Sequence, residues 1–211
     1  DSGRDGILRI KRRHFRGGIR EYDPAKVMQE VCAGRWVPES SPQCQCVSRK
    51  IMQAIAARAG RCYFDIVPDT VCFAALSCAK SYVYFNRPVT VYGRSPASAT
   101  TALSKLDPKT YAAFAAKNFG SGGDMLDLRA RCIVALGLAG LMLTRRLFGL
   151  TNPPIDFDTW KERMLAELAP VPEPNRTEQL RYVNEWLVRN CIEPVDLNLL
   201  AEAKPERPSE F

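Results

Sequence analysis

Residues Arg61–Ser98 read RCYFDIVPDTVCFAALSCAKSYVYFNRPVTVYGRSPAS, and their punctuation decides the architecture. Pro68-Asp69 interrupts a brief extended run at Cys62-Tyr63-Phe64. Asp69 is suited to cap a helix from Thr70 to about Lys80, since a short carboxylate accepts hydrogen bonds from the unpaired N–H groups of a first turn. Val71, Cys72, Phe73, Ala74, Ala75 and Leu76 make that helix apolar nearly all round, which predicts burial. Tyr82–Phe85 reads as a strand, Asn86-Arg87-Pro88 as a turn, Val89–Tyr92 as a further strand and Gly93–Ser98 as a polar loop.

Toward the N-terminus, Asp23-Pro24 combines a capping side chain with proline at the first helical position, and Gly34 closes that helix. Ser48–Ala59 predicts a second helix, with Ile51 and Ile55 one turn apart and Gly60 as its stop. Gly6–Ile10 alternates as a short strand, and Trp36–Gln43 is a loop rich in Pro and Ser. From Asp107 the pattern is helical. Asp107-Pro108 opens a helix to about Asn118, Gly120–Gly123 is a hinge, and one long helix is predicted over Asp124–Phe148. Its uncharged run, Cys132–Thr144, is 13 residues, too short to span a bilayer and suited to a buried helix. Gly137 and Gly140 would let a neighbour pack closely there. Asp158 is expected to cap a helix carrying Trp160, Met164 and Leu168, and Thr177 one carrying Leu180, Val183 and Leu187. The expected class is α/β, mostly helical.

Composition excludes wholesale disorder, because 46% of the 211 residues are hydrophobic. The net charge of +7 is local. Residues 1–20 hold seven basic groups (Arg4, Arg9, Lys11, Arg12, Arg13, Arg16, Arg20) against Asp1 and Asp5, while residues 160–211 hold seven basic and ten acidic groups. That unevenness argues against a nucleic-acid binder, and no stacking aromatics interleave with the arginines. Eight cysteines in a chain this long are too sparse for a disulfide scaffold, which favours a reducing cytoplasm. Cys44-Gln45-Cys46 has too short a spacer and no partner pair for zinc. The single histidine, His14, reads as a surface residue of the basic segment.

The order of Pro68-Asp69, buried helix, aromatic strand Ser81–Phe85 and Asn86-Arg87-Pro88-Val89-Thr90-Val91-Tyr92-Gly93-Arg94-Ser95 resembles a known family. It is similar to the second half of the catalytic domain of family 2 glycosyltransferases, of the GT-A fold, over roughly Pro42–Ser98. The resemblance implies two regions: the acceptor-side half of a GT-A nucleotide-diphospho-sugar transferase domain over 1–106, and a C-terminal helical extension over 107–211. It implies an inverting, hexosyltransferase-like enzyme with a nucleotide-sugar donor and a saccharide or other hydroxyl acceptor. Asp69 matches the family's catalytic base, which takes the acceptor hydroxyl's proton. Asp65, Arg94 and Ser95 match substrate-facing positions, although relatives often carry His near the last two and this chain does not. The family holds Mg²⁺ or Mn²⁺ with an Asp-x-Asp element placed before the base. Asp156-Phe157-Asp158 has those letters but follows the base, so it reads as helix capping. The resemblance therefore implies a donor half preceding Asp1, metal ligands outside this chain and little activity in the chain alone.

Two other classes compete with this expectation. One is a non-catalytic helical interaction or scaffold module, in which Asp69 is only a cap. The other is a peripheral binder of anionic surfaces through the basic N-terminal segment, which would place the protein in the cytoplasm at the inner face of the membrane.

Overall fold

A computed structural model describes residues 18–35, 46–61, 68–85 and 132–196, with the backbone alone at 68, 69, 84 and 85. In chain order the elements are β1 (Ile19–Tyr22), α1 (Pro24–Cys32), α2 (Arg49–Ala59), α3 (Pro68–Cys78), β2 (Tyr82–Phe85), α4 (Ile133–Phe148), α5 (Phe157–Leu168) and α6 (Asn175–Arg189). Among the described residues the protein is mostly helical, with one two-stranded sheet. The expected strands at 6–10 and 89–92, the helix from 107 and the hinge at 120–123 lie outside the described residues.

Local signals produce the first two helices. Asp23 accepts a hydrogen bond from the Ala25 N–H at 2.9 Å, Pro24 occupies the first helical position, and Val27, Met28, Val31 and Cys32 are buried. Gly34 stands at φ +70 beyond the end, where a Cβ would lie 2.6 Å from Thr159 Cγ2. Only glycine fits that turn. Ser48 accepts from the Ile51 N–H at 3.3 Å, and Gly60 ends α2 in the left-handed region.

β2 forms at the expected residues but pairs with β1. The two are antiparallel, with Ile19 opposite Phe85 and Tyr22 opposite Tyr82. The Tyr22 and Tyr82 rings lie 6.0 Å apart at 42°, a tilted pair across the ribbon. All four β1 residues are exposed, and the ribbon meets the core through Tyr82 of β2, which packs against its edge.

The core joins helices from both sides of residue 106. Val31, Phe73, Leu138, Trp160, Leu180 and their neighbours form one cluster drawing on α1, α3, α4, α5 and α6. A smaller cluster sets Ile55 of α2 against Val71, Ala74 and Ala75 of α3. The predicted stripes of α5 (Trp160, Met164, Leu168) and α6 (Leu180, Val183, Leu187) are buried as expected.

Four boundaries differ from expectation. Helix α4 begins at Ile133, and Cys132 before it is extended at φ −97, ψ 111, so no single helix runs from Asp124 to Phe148. The cause is a carboxylate from another helix. Glu167 accepts from the Ile133 and Val134 N–H groups at 2.8 Å each, the donors a continuing helix would have used internally. Asp156, not Asp158, caps α5, accepting from the Thr159 N–H at 3.1 Å, and Asp158 stands in the first turn. On α6, Glu173 does the capping expected of Thr177, accepting from the Thr177 N–H at 3.3 Å and hydroxyl at 2.9 Å. Helix α3 starts at Pro68, two residues before the predicted Thr70.

Candidate active site

The backbone of Asp69 lies inside the first turn of α3, not ahead of it. Asp65, Arg94 and Ser95 lie outside the described residues. The start of α3 is anchored through the residue that follows Asp69.

That anchoring comes from α4. Thr70, the residue after Asp69, is fully buried within an otherwise apolar helix face. A Cβ on Gly140 would come within 2.8 Å of Thr70 Oγ1 and 3.7 Å of the Phe73 ring, so glycine lets the two helices touch. Thr144 donates its hydroxyl to the Gly140 carbonyl at 2.9 Å and reaches the Thr70 carbonyl at 3.4 Å. Thr70 Oγ1 itself has no hydrogen-bond partner among the described residues. The expectation of close packing holds at Gly140, whereas a Cβ on Gly137 would meet the Trp160 ring at 3.6 Å, an ordinary contact. Gly140→Ala is expected to destabilise by ~1–3 kcal/mol of overpacking, despite a helix-propensity gain of ~1 kcal/mol. Urea denaturation of a cycle with Thr70→Ala should show the double variant recovering part of that loss; strictly additive costs would discard the contact.

Asp156 and Asp158 take part in building α5. Asp156 Oδ2 also accepts from the Thr159 hydroxyl at 2.8 Å, and the Thr159 N–H bond leads the causes that hold its pKa below the ordinary range. Asp158 pairs with Lys161 at 2.8 Å. Both side chains are exposed, and their contacts are those of a helix start: Asp156 caps the first turn and Asp158 pairs within it. Among the described residues no group of three or more His, Cys, Asp or Glu side chains could hold a metal ion.

Two thiols sit at the joints of the core. Cys32 is buried at the end of α1, and Arg145 donates to its sulfur at 3.5 Å while also donating to the carbonyls of Thr151 and Pro153. Burial raises the Cys32 pKa, and the guanidinium offsets part of that rise. Cys132 donates its S–H to Glu167 at 3.2 Å and is raised well above the usual thiol range, first by burial and then by the carboxylate. Both are held as neutral thiols, so neither is an activated nucleophile. Cys46 and Cys191 are exposed. With a disulfide reagent at neutral pH, those two are expected to react promptly, and Cys32, Cys72 and Cys132 only at the rate of unfolding. Prompt labelling of Cys132 would contradict the Glu167 contact.

A concavity of about 710 Å³ runs beside α6, lined by Thr177, Arg181, Asn184, Glu185, Val188 and Arg189. Its described lining comes from one helix, and the Asn184 amide is engaged with the Val195 backbone at 2.8 and 3.0 Å. Among the described residues no helix is long and apolar enough to cross a membrane.

The sequence reading passed over Thr70, Thr144 and Glu167. Thr70 could have been marked as the polar residue in an apolar run. Glu167 carries no sequence signal, because its partners lie 33 to 35 residues away. Compared with protein-family models, curated proteins and solved structures, the chain matches none of them.

Proposed function

We propose that this chain supplies the acceptor side of a family 2 glycosyltransferase of the GT-A type, moving a sugar from a nucleotide-diphosphate donor to an acceptor hydroxyl. The observation that carries the reading is the order of elements around Asp69. Pro68-Asp69 opens a buried helix, α3, and an aromatic strand, β2, follows after three residues. In this reading the Asp69 carboxylate takes the proton of the acceptor hydroxyl. The freed oxygen attacks the anomeric carbon opposite the leaving group, the bond to the diphosphate breaks, and the nucleoside diphosphate departs with the bonding pair. Configuration at the anomeric carbon inverts.

Asp65, Arg94 and Ser95 are assigned to substrate contacts on the resemblance of the sequence alone. A divalent cation, Mg²⁺ or Mn²⁺, would neutralise the departing diphosphate, but Asp156 and Asp158 are committed to capping and pairing. No step is assigned to a metal held by them.

The test is sugar transfer by the full-length protein, read as nucleoside diphosphate release from nucleotide-sugar donors in the presence of hydroxyl acceptors. Asp69→Asn should abolish release that depends on acceptor and leave the fold intact.

A further inference from the structure

We propose that the outer face of α2, with the adjoining end of α4, docks on an anionic phospholipid surface. Residues 46–61 hold four basic groups, Arg49, Lys50, Arg58 and Arg61, and no acid. Ile55 is fully buried against α3, while Arg49, Lys50 and Arg58 are exposed around the rest of the helix. The Arg58 guanidinium stands 5.8 Å over the Phe148 ring and its charge also acts on the Cys78 thiol. The C-terminal ends of α2, α3 and α4 therefore meet at this point, and exposed Arg146 lies on the last turn of α4.

Charge complementarity selects the partner. Residues 132–155 add two further basic groups and no acid, whereas residues 156–196, which form α5 and α6, hold nine acidic and five basic groups. Along the described chain the positive charge thus falls on α2 and the end of α4, and the negative charge on α5 and α6. An anionic surface attracts the first pair of elements and repels the second, which favours docking through α2.

Apolar character separates a lipid surface from a nucleic acid. Ile51, Met52, Leu147 and Phe148 are only partly buried in the cluster beneath these cations. Cations beside half-exposed aliphatic groups suit the boundary between headgroups and acyl chains. Nucleic acid would call for open aromatic faces, and the Phe148 ring is overlain by Arg58. The inference stands apart from the chemistry assigned to Asp69.

The experiment is co-sedimentation of the full chain with vesicles of phosphatidylcholine alone or with about one-third phosphatidylserine. Binding is expected only to the anionic vesicles, and added salt should weaken it. Arg49→Glu with Lys50→Glu leaves the Arg58–Phe148 contact in place and should lower partitioning ~10-fold or more. The milder Arg49→Ala with Lys50→Ala should lower it less, with an unchanged circular dichroism spectrum. Arg189→Glu, a charge change on α6 and not on α2 or the end of α4, should alter it little. Equal binding to neutral vesicles, no binding to either, an equal loss with Arg189→Glu, or displacement by a single-stranded RNA oligomer at lower concentration than by anionic vesicles would each overturn the proposal.

Discussion

Asp69→Asn is expected to lower sugar transfer by ~10²–10⁴-fold, the usual worth of a positioned proton acceptor. The substitution keeps the side chain's size and removes only its basicity. The loss should therefore fall on kcat, with the acceptor KM changed little. The pH profile gives a second, independent readout. A carboxylate base must be ionised, so the wild-type rate should decline on the acid side as that group protonates. In the Asn variant this acid limb should vanish along with most of the rate. An Asp69 that serves only the first turn of α3 would behave otherwise: the variant would transfer sugar normally and lose at most ~1 kcal/mol of stability. Transfer at wild-type rate by a folded Asp69→Asn protein would falsify the assignment.

Trp160→Ala should have the largest effect on stability, ~3–5 kcal/mol, as for other large aromatic truncations in a core. Trp160 is 1% exposed and belongs to the central cluster, between Gly137 of α4 and Arg163, whose guanidinium lies 5.9 Å from the ring. Removing the indole leaves a cavity where α4 and α5 meet. Trp160→Phe should cost less, for two reasons. It keeps an aromatic ring, and it removes an indole N–H that is buried with no hydrogen-bond partner among the described residues. Urea midpoints at unchanged m-value measure both variants. A cost under ~1 kcal/mol for Trp160→Ala would mean that this junction is not part of the cooperative core.

What the sequence made legible was whatever depends on neighbours along the chain. Asp23-Pro24 with Gly34, and Ser48 with Gly60, mark helix ends by capping and by a left-handed residue, and both helices stand where those signals put them. The burial of α3 follows from its lack of a polar side. What failed were boundaries decided by distant groups. An apolar run bordered by helix-forming residues gave no reason to stop before Ile133, because the stop depends on Glu167 reaching back from α5. Asp158 and Thr177 were plausible caps by residue type. Asp156 and Glu173 took those roles through geometry that no dipeptide encodes. The partner of β2 was equally hidden, since β1 lies some sixty residues earlier in the chain. At the candidate site, the helix that carries Asp69 was legible, but its anchoring through Thr70, Gly140 and Thr144 was only half visible, as a pair of glycines without a named neighbour.

The reach of Glu167 has a wider consequence. One carboxylate, three hydrogen bonds long, closes the chain from Cys132 to Glu167 into a loop, in the manner of a reversible cross-link. Helix ends ordinarily fray one residue at a time. Here the first turn of α4 cannot open without breaking three bonds to a single side chain, and the last turn of α5 cannot open without stranding the same donors. Two ends that would otherwise loosen separately are joined into one event, so this helical hairpin gains all-or-none opening from a residue whose role is neither catalytic nor hydrophobic.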